Sequence, residues 1–574
     1  MTHDATNPDT STTDRTAVTP RALADRYVHD LVEIDTMVAT GLGLRPHDDR
    51  VPDLSPAGQD AHDDLARSAL AELDAIEAAA GPGGLDDAER RCARLFRERL
   101  SAGLAASEAG EHLRTVRNIF GPPQAVRQLF TMMPTTTDED WGAVERRMAR
   151  VPEAYASHVE SLELGRSRGL LAAPRQVETL VGQLDEWVSG DRSWFHGVVA
   201  AGPDARRAEL DAAADAAAQG VTELRDYLAG TYLPAAQGTP DAVGRDRYVL
   251  GARVMTGTAL DPEEAYAWGW AEYQRLDAEM RSAAQEVLPG STPQEAMRHL
   301  DEHGEAIEGV EAVREWLQQM MDTAITDLDG THFDIAEPIR TVEAMIAPPG
   351  SAAAPYYSRP SVDFSRPGRT WLPTLGRTRF PVWDLVSTWY HEGVPGHHLQ
   401  LAQWVHVAPQ LSLYQTSLGS SSGATEGWAL YAERLMDELG YLDTPARMGY
   451  LDAQQMRAVR VVIDIGMHLG LTIPDDSPVD PGGTWNPQNA REFFGANSGR
   501  PSDFLDSEIV RYLGWPGQAI AYKLGERAWL AGRDAARAAH EARGEAFDLK
   551  AWHMAALSMG ALGLDDLTAE LAAL

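Results

Sequence analysis

Cysteine is almost absent. Cys92 is the only one in 574 residues, so no intramolecular disulfide can form. It lies in the helical-looking run Arg90–Arg91–Cys92–Ala93–Arg94–Leu95 and reads as a buried, inert thiol rather than a nucleophile. Long apolar stretches are missing too: no run reaches the about 18 residues that a membrane-spanning helix needs. The segment 1–19 is polar and rich in Thr and Asp, without the basic start and apolar stretch of a signal peptide. It reads as a disordered tail, because nothing in it could bury enough apolar surface to offset chain entropy. Positive charge is scarce, with 50 Lys and Arg against 86 Asp and Glu and a formal charge of -36. Such a chain should repel nucleic acid and anionic membranes. A soluble cytoplasmic protein with neither as partner is the expectation.

Helical periodicity fills most of the chain. From Arg21 to about Leu42 the apolar residues Leu23, Tyr27, Leu31, Ile34 and Val38 recur at three- and four-residue steps, closed by Gly41. Further helical patterns cover about 60–80, 86–107, 138–168, 176–189 and 204–229, then 445–471, 502–512, 516–543 and 549–558. One start signal is explicit: Asp261 as N-cap, Pro262 in the first position and Glu264 reaching back as a capping box, opening a helix to about Val287. Two short stretches, Ile339 to Ile346 and Thr370 to Pro373, suggest strands. No internal repeat or linker stands out between Pro20 and Leu574. A mainly α fold follows, with 20–574 as one large helical domain and two lobes around a cleft as the variant of that reading.

The chemistry concentrates in Tyr390–His391–Glu392–Gly393–Val394–Pro395–Gly396–His397–His398. Two zinc-binding histidines on one helix normally stand four apart, with a glutamate after the first to activate water. Here the fourth position is Pro395. His397 would point ~120° away from His391 on a regular helix, and His398 would share its face but lie ~10 Å further along. Looping out two residues at Pro395–Gly396 returns His397 to the place that four-residue spacing would give, so His397 is preferred as second ligand after His391. His398 is the alternative, or else a substrate contact. Glu392 is the candidate general base.

The run from Tyr390 to Gln400, with Thr425–Glu426–Gly427–Trp428–Ala429–Leu430–Tyr431 downstream, resembles bacterial proteins of domain-of-unknown-function family 885 (DUF885). That family is similar to the zincin-type (gluzincin-type) metallopeptidases. The resemblance implies a zincin-like helical domain with a central cleft and a small β-sheet beside the metal-binding helix. It also supports Glu426 as the third metal ligand, at the start of a helix after the Gly- and Ser-rich loop 418–423; in its absence first-turn placement on the helix dipole would suffice to explain that glutamate. Glu433, on the same face, is either a neighbour of the site or a solvated glutamate. The stretch Glu508–Ala519 also matches the family, and its Arg511–Tyr512 pair is similar to one in angiotensin-converting-type zincins. The implied roles are oxyanion donor for Tyr512 and grips on an anionic substrate group for Arg511, Tyr522 and Lys523. Asp548 and His553 fit the family pattern without a role. Arg460, Asp464 and His468 step by four along one helix face, as a network behind the metal ligands or a structural charge ladder.

The expectation is a hydrolase with one zinc ion per chain, cleaving an amide bond in a small peptide-like substrate in the manner of a carboxypeptidase or oligopeptidase. Manganese, iron or cobalt would suit the same ligands. A hydrolase of a non-peptide metabolite amide, or a silent binding protein on a zincin fold, are the rivals.

Overall fold

Proline, aspartate and glycine cut the chain into its helices. In the computed structural model, which describes residues 19–190, 192–348 and 354–574, Asp35 ends Pro20–Ile34 and caps Thr36–Gly41, accepting from the N–H groups of Met37 and Val38 at 2.8 and 3.0 Å. The single helix expected over 21–42 is therefore two. The pattern over 138–168 likewise divides into Asp138–Ala149 and Val151–Ser167, with Pro152 in the first turn of the second, where its missing N–H costs nothing. The helix expected from Pro516 starts only at Ala521, after Gly517 at φ 78. Asp261 caps Pro262–Val287 by accepting from Glu263 and Glu264. Glu264 does not complete a capping box; its carboxylate turns to Arg527 at 2.9 Å. The tail expected over 1–19 lies, except for Thr19, outside the described residues.

The molecule is mainly helical, as the periodicity indicated, with small sheets. Val342–Ile346 pairs parallel with Gly368–Leu372, whose other edge takes Tyr356–Ser358 antiparallel. The last strand had no signal beyond its two tyrosines. A second pair, Ala306–Glu308 with Arg379–Pro381, is antiparallel. No helix among the described residues is long and apolar enough to cross a membrane.

Two apolar cores form. The smaller gathers Val126, Tyr155, Leu180, Phe195 and Leu224 from helices between Pro122 and Ala236. The larger takes in the long helices Pro262–Val287 and Thr444–Leu469, which pack along one another. Beside them Ser422–Glu438 packs on Ala521–Arg543. Those two approach closely where glycine meets glycine: a Cβ on Gly427 would stand 2.4 Å from the Cα of Gly525. That contact fixes the depth of the neighbouring Glu426.

Candidate metal centre

The helix carrying the first histidine stops and restarts. Leu385–Glu392 gives way to Gly393–Gly396, with a cis Val394–Pro395 peptide, and the helix resumes as His397–His406. The Gly396 N–H donates to the Tyr390 carbonyl, six residues back, and the His398 N–H to that of Gly393, five back, both at 3.0 Å. An α-helix would use the carbonyl four back, so two residues have been accommodated as a loop. Gly396 cannot be larger, since a Cβ there would lie 2.0 Å from the His391 carbonyl oxygen. Two of the loop's carbonyls accept from Trp428, whose indole N–H is shared between Pro395 O at 2.9 Å and Gly396 O at 3.0 Å; the Gly396 carbonyl also takes the Gln400 N–H at 3.2 Å. As a result the rings of His391 and His397 stand 4.7 Å apart, nearly perpendicular.

Glu426 comes to them from the facing helix. Ser421 caps Ser422–Glu438, so Glu426 sits one turn further in than the expected start near Thr425 placed it. One donor atom from each of His391, His397 and Glu426 lies within 4.8 Å of the other two. Glu426 Oε2 is 3.3 Å from His391 Nε2 and 3.6 Å from His397 Nε2. His391 Nδ1 is 2.7 Å from Glu433 Oε1; as donor there, it turns Nε2 toward the cluster. Glu433 is fully buried, accepts from Ser387 Oγ at 2.8 Å and pairs with Arg457 at 3.2 Å. The solvated reading of Glu433 is thereby excluded.

The electrostatics of the cluster follow from burial and neighbouring charge. Burial pushes the Glu433 carboxyl up, but Arg457 and His391 outweigh it and hold the group below its ordinary range. Glu426 is held low against the same burial by the two imidazoles. Burial alone would lower His391, yet Glu426 and Glu433 push it up to about 9. Glu426 Oε2 and His397 Nδ1 are both buried without a hydrogen-bond partner. Two imidazoles and one carboxylate whose ligand atoms converge within 4.8 Å, and an orphaned carboxylate oxygen, fit a divalent cation of the zinc kind with an open position, which would take the place of the proton that the two carboxylates favour on His391.

A cavity of about 610 Å³ opens onto the cluster and is lined by Glu392, Tyr522, Arg359, Arg457, Arg460 and Arg500 among others. Glu392 follows the first histidine. Burial raises its carboxyl above the ordinary range, against the pull of His391 and His397. Tyr522 is half-buried and faces the same space; burial and the charge of Glu426 push its hydroxyl up to about 12.

Other residues singled out in the sequence lie elsewhere. His398 is wholly buried, with Nε2 2.7 Å from Ile339 O and Nδ1 2.9 Å from the Tyr357 hydroxyl. Both nitrogens are committed, one to the turn Glu337–Arg340 and one to the strand Tyr356–Ser358, so it neither joins the cluster nor lines the cavity. Tyr512 is buried as well: it donates to Glu508 Oε2 at 2.7 Å and accepts from Arg460 Nε at 2.8 Å, away from the cavity lining. Arg511 is bound to Glu508 and Gln518. Lys523 is enclosed by Glu272 at 2.8 Å, Gln454 at 2.6 Å and Glu526 at 2.5 Å. Neither cation is free to grip a substrate.

Of the stepped residues, Arg460 and His468 both reach the helix Ser502–Gly514, and Asp464 reaches Tyr248 and Gly517. Arg460 takes Tyr512 and Glu508; Asp464 accepts from Tyr248 at 2.7 Å and from the Gly517 N–H at 3.1 Å; His468 lies 3.1 Å from Tyr512 O. They tie helices together rather than orient the cluster. Asp548 caps Leu549–Leu557, and His553 meets the Tyr431 hydroxyl at 2.8 Å. Cys92 is fully buried against Ser412, its thiol pushed up to about 12 by burial. Sequence reasoning missed Arg359, Arg457 and Arg500. Arg457 carried a signal, since it stands one turn before Arg460 on the same helix.

Fold and site together define a mainly helical protein with a buried two-histidine, one-carboxylate cluster beside an arginine-lined cavity. The chain belongs to the family described as bacterial protein of unknown function (DUF885), whose sequence model matches residues 37–571. Its fold is similar to that of a protein from Colwellia psychrerythraea provisionally called a lipoprotein, at TM-score 0.77 and 23% identity over 97% of this chain and 99% of that one. A protein of unknown function from Shewanella oneidensis, provisionally called a lipoprotein as well, is similar at TM-score 0.72 and 17% identity, over 97% and 100% of the two chains. No curated protein matches the chain.

Proposed function

We propose that this chain is a zinc-dependent hydrolase of the zincin type that cleaves an amide bond in a small peptide-like substrate. The observation that carries the reading is the convergence of His391, His397 and Glu426 within 4.8 Å, beside the Glu392 carboxylate in a common cavity. His391, His397 and Glu426 would hold the ion, and Glu433 would fix the tautomer and direction of the first imidazole. Zinc bound there supplies Lewis acidity to an amide carbonyl and to a water.

The remaining steps belong to the protein. Glu392 accepts a proton from the attacking water; the raised affinity of its buried carboxylate for protons suits it to pass that proton on to the leaving amide nitrogen. Tyr522 takes the place first assigned to Tyr512 as hydrogen-bond donor to the developing oxyanion, because it is the tyrosine of the two that lines the cavity. Arg457 neutralises Glu433 and keeps that carboxylate ionised beneath His391.

Glu392→Gln is the deciding variant. It should bind zinc as the wild type does and lose hydrolysis by about 10²- to 10⁴-fold, the worth of a positioned base. Unchanged turnover would remove Glu392 from the mechanism. The modest cavity also suits a metabolite amide, so peptides and acyl amino acids belong in one substrate screen.

A further inference from the structure

Four arginines line the cavity of a protein whose formal charge is -36. Three of them have a carboxylate to answer: Arg457 pairs with Glu433 at 3.2 Å, Arg460 with Glu508 at 2.8 Å and Arg500 with Asp452 at 2.9 Å. Arg359 differs. Its Nη1 donates to the Thr416 carbonyl at 2.6 Å, its guanidinium lies 5.8 Å from the Trp404 ring centre, and among the described residues no carboxylate is within ion-pair reach. Burial pulls its proton affinity below the ordinary value with only the Tyr357 hydroxyl opposing. A half-buried guanidinium with one neutral acceptor and no carboxylate among the described residues presents its remaining donors to incoming negative charge.

The structure also explains how Arg359 is held there. It directly follows the strand Tyr356–Ser358, and Tyr357 bonds His398, the neighbour of the second cluster histidine. The strand is thus fastened to the same helix that presents His397. Ser417, Ser420 and Ser422 line the cavity as well and add hydroxyl groups to the wall.

We infer that Arg359 receives a carboxylate of the substrate, so that the protein acts on small acyl amino acids or peptides bearing a free terminal carboxylate. This rests on the hydrolase reading, and it assigns to Arg359 the grip once expected of Arg511 and Lys523. Arg359 is a specificity residue: a planar guanidinium engages a carboxylate through two parallel N–H donors, which a neutral amide cannot match.

The experiment compares zinc-loaded wild type, Arg359→Gln, Arg359→Lys and Arg500→Gln, each checked for thermal stability. N-benzoyl-glycyl-phenylalanine and its C-terminal amide serve as substrates, and 2-benzylsuccinate serves as a non-hydrolysed ligand in isothermal titration. Wild type should prefer the free acid. Arg359→Gln should raise KM for the acid about 10- to 100-fold with little change for the amide, the size of a charge-assisted hydrogen-bond pair. Arg359→Lys should fall between, and Arg500→Gln should keep the preference. Equal use of acid and amide by wild type, or a preference that survives Arg359→Gln, overturns the inference. If wild type turns over neither substrate, the hydrolase reading fails and the titration decides the carboxylate site alone: 2-benzylsuccinate binding lost in Arg359→Gln and kept in Arg500→Gln supports it, whereas equal binding by wild type and Arg359→Gln, or no binding, overturns it.

Discussion

The indole N–H of Trp428 donates to the carbonyl oxygen of Pro395 at 2.9 Å, and through it the helix that carries Glu426 fastens the loop that sets the position of His397. Two candidate ligands thus depend on one side chain that touches neither. Trp428→Phe should keep all three candidate ligands and still weaken zinc binding, because the Pro395 carbonyl would lose its buried donor at about 1–3 kcal/mol, while the Gly396 carbonyl keeps the Gln400 N–H. Competition against a chromophoric chelator would measure this. Zinc affinity equal to wild type would separate the loop from the cluster.

Elemental analysis of histidine variants tests the choice of ligands. About one zinc per chain is expected in wild type and in His398→Ala, and none in His391→Ala, His397→Ala or Glu426→Ala. His398→Ala should show its cost in stability, since it removes two buried hydrogen bonds, to Ile339 and Tyr357, worth about 1 kcal/mol each before any cavity cost. Zinc lost from His398→Ala and kept by His397→Ala would reverse the assignment.

Glu433→Gln addresses the support beneath the first histidine. The amide is of similar size but lacks the charge that answers Arg457 and holds the His391 Nδ1 proton. Zinc affinity should fall about 10- to 100-fold, as partners of this kind contribute. The fold should persist on circular dichroism, which distinguishes this loss from unfolding.

A pH effect on stability should trace to Asp464. Burial pushes its carboxyl up to about 7, with Tyr248 and the Gly517 N–H opposing. The folded state therefore binds more protons than the unfolded state between about pH 4 and 7, and stability declines as pH rises through that window. The full swing is on the order of 4 kcal/mol. Asp464→Asn keeps an acceptor for Tyr248 and Gly517 and carries no charge, so denaturant titrations at pH 5 and 8 should show a smaller difference in the variant. An unchanged difference would assign the effect to another group.

How far the sequence could be read depended on the distance over which each residue's fate was decided. Asp261 and Pro262 announce their helix because capping is settled within four residues, and the six-residue step from His391 to His397 announces a loop because helix geometry is local. Asp35 and Arg150 broke two helices that periodicity ran together, since the apolar repeat continues across each break. Tyr512 looked available because its partner Arg460 lies on a helix distant in sequence. Lys523 looked available for the same reason, its acceptors Glu272 and Gln454 coming from two other helices. Arg359 carried no local pattern at all; what sets it apart is that no carboxylate among the described residues reaches it.

The excursion at Gly393–Gly396 separates two rulers that usually agree. A sequence pattern counts residues, whereas an ion responds to where turns of helix bring lone pairs. Because one indole N–H covers the Pro395 and Gly396 carbonyls, the two additional residues are housed while the rings of His391 and His397 stay 4.7 Å apart. Searches that demand a fixed gap between two histidines will pass over clusters built this way, and a gap widened by two, with glycine before the second histidine and a tryptophan two places after the glutamate, would be the more faithful signature.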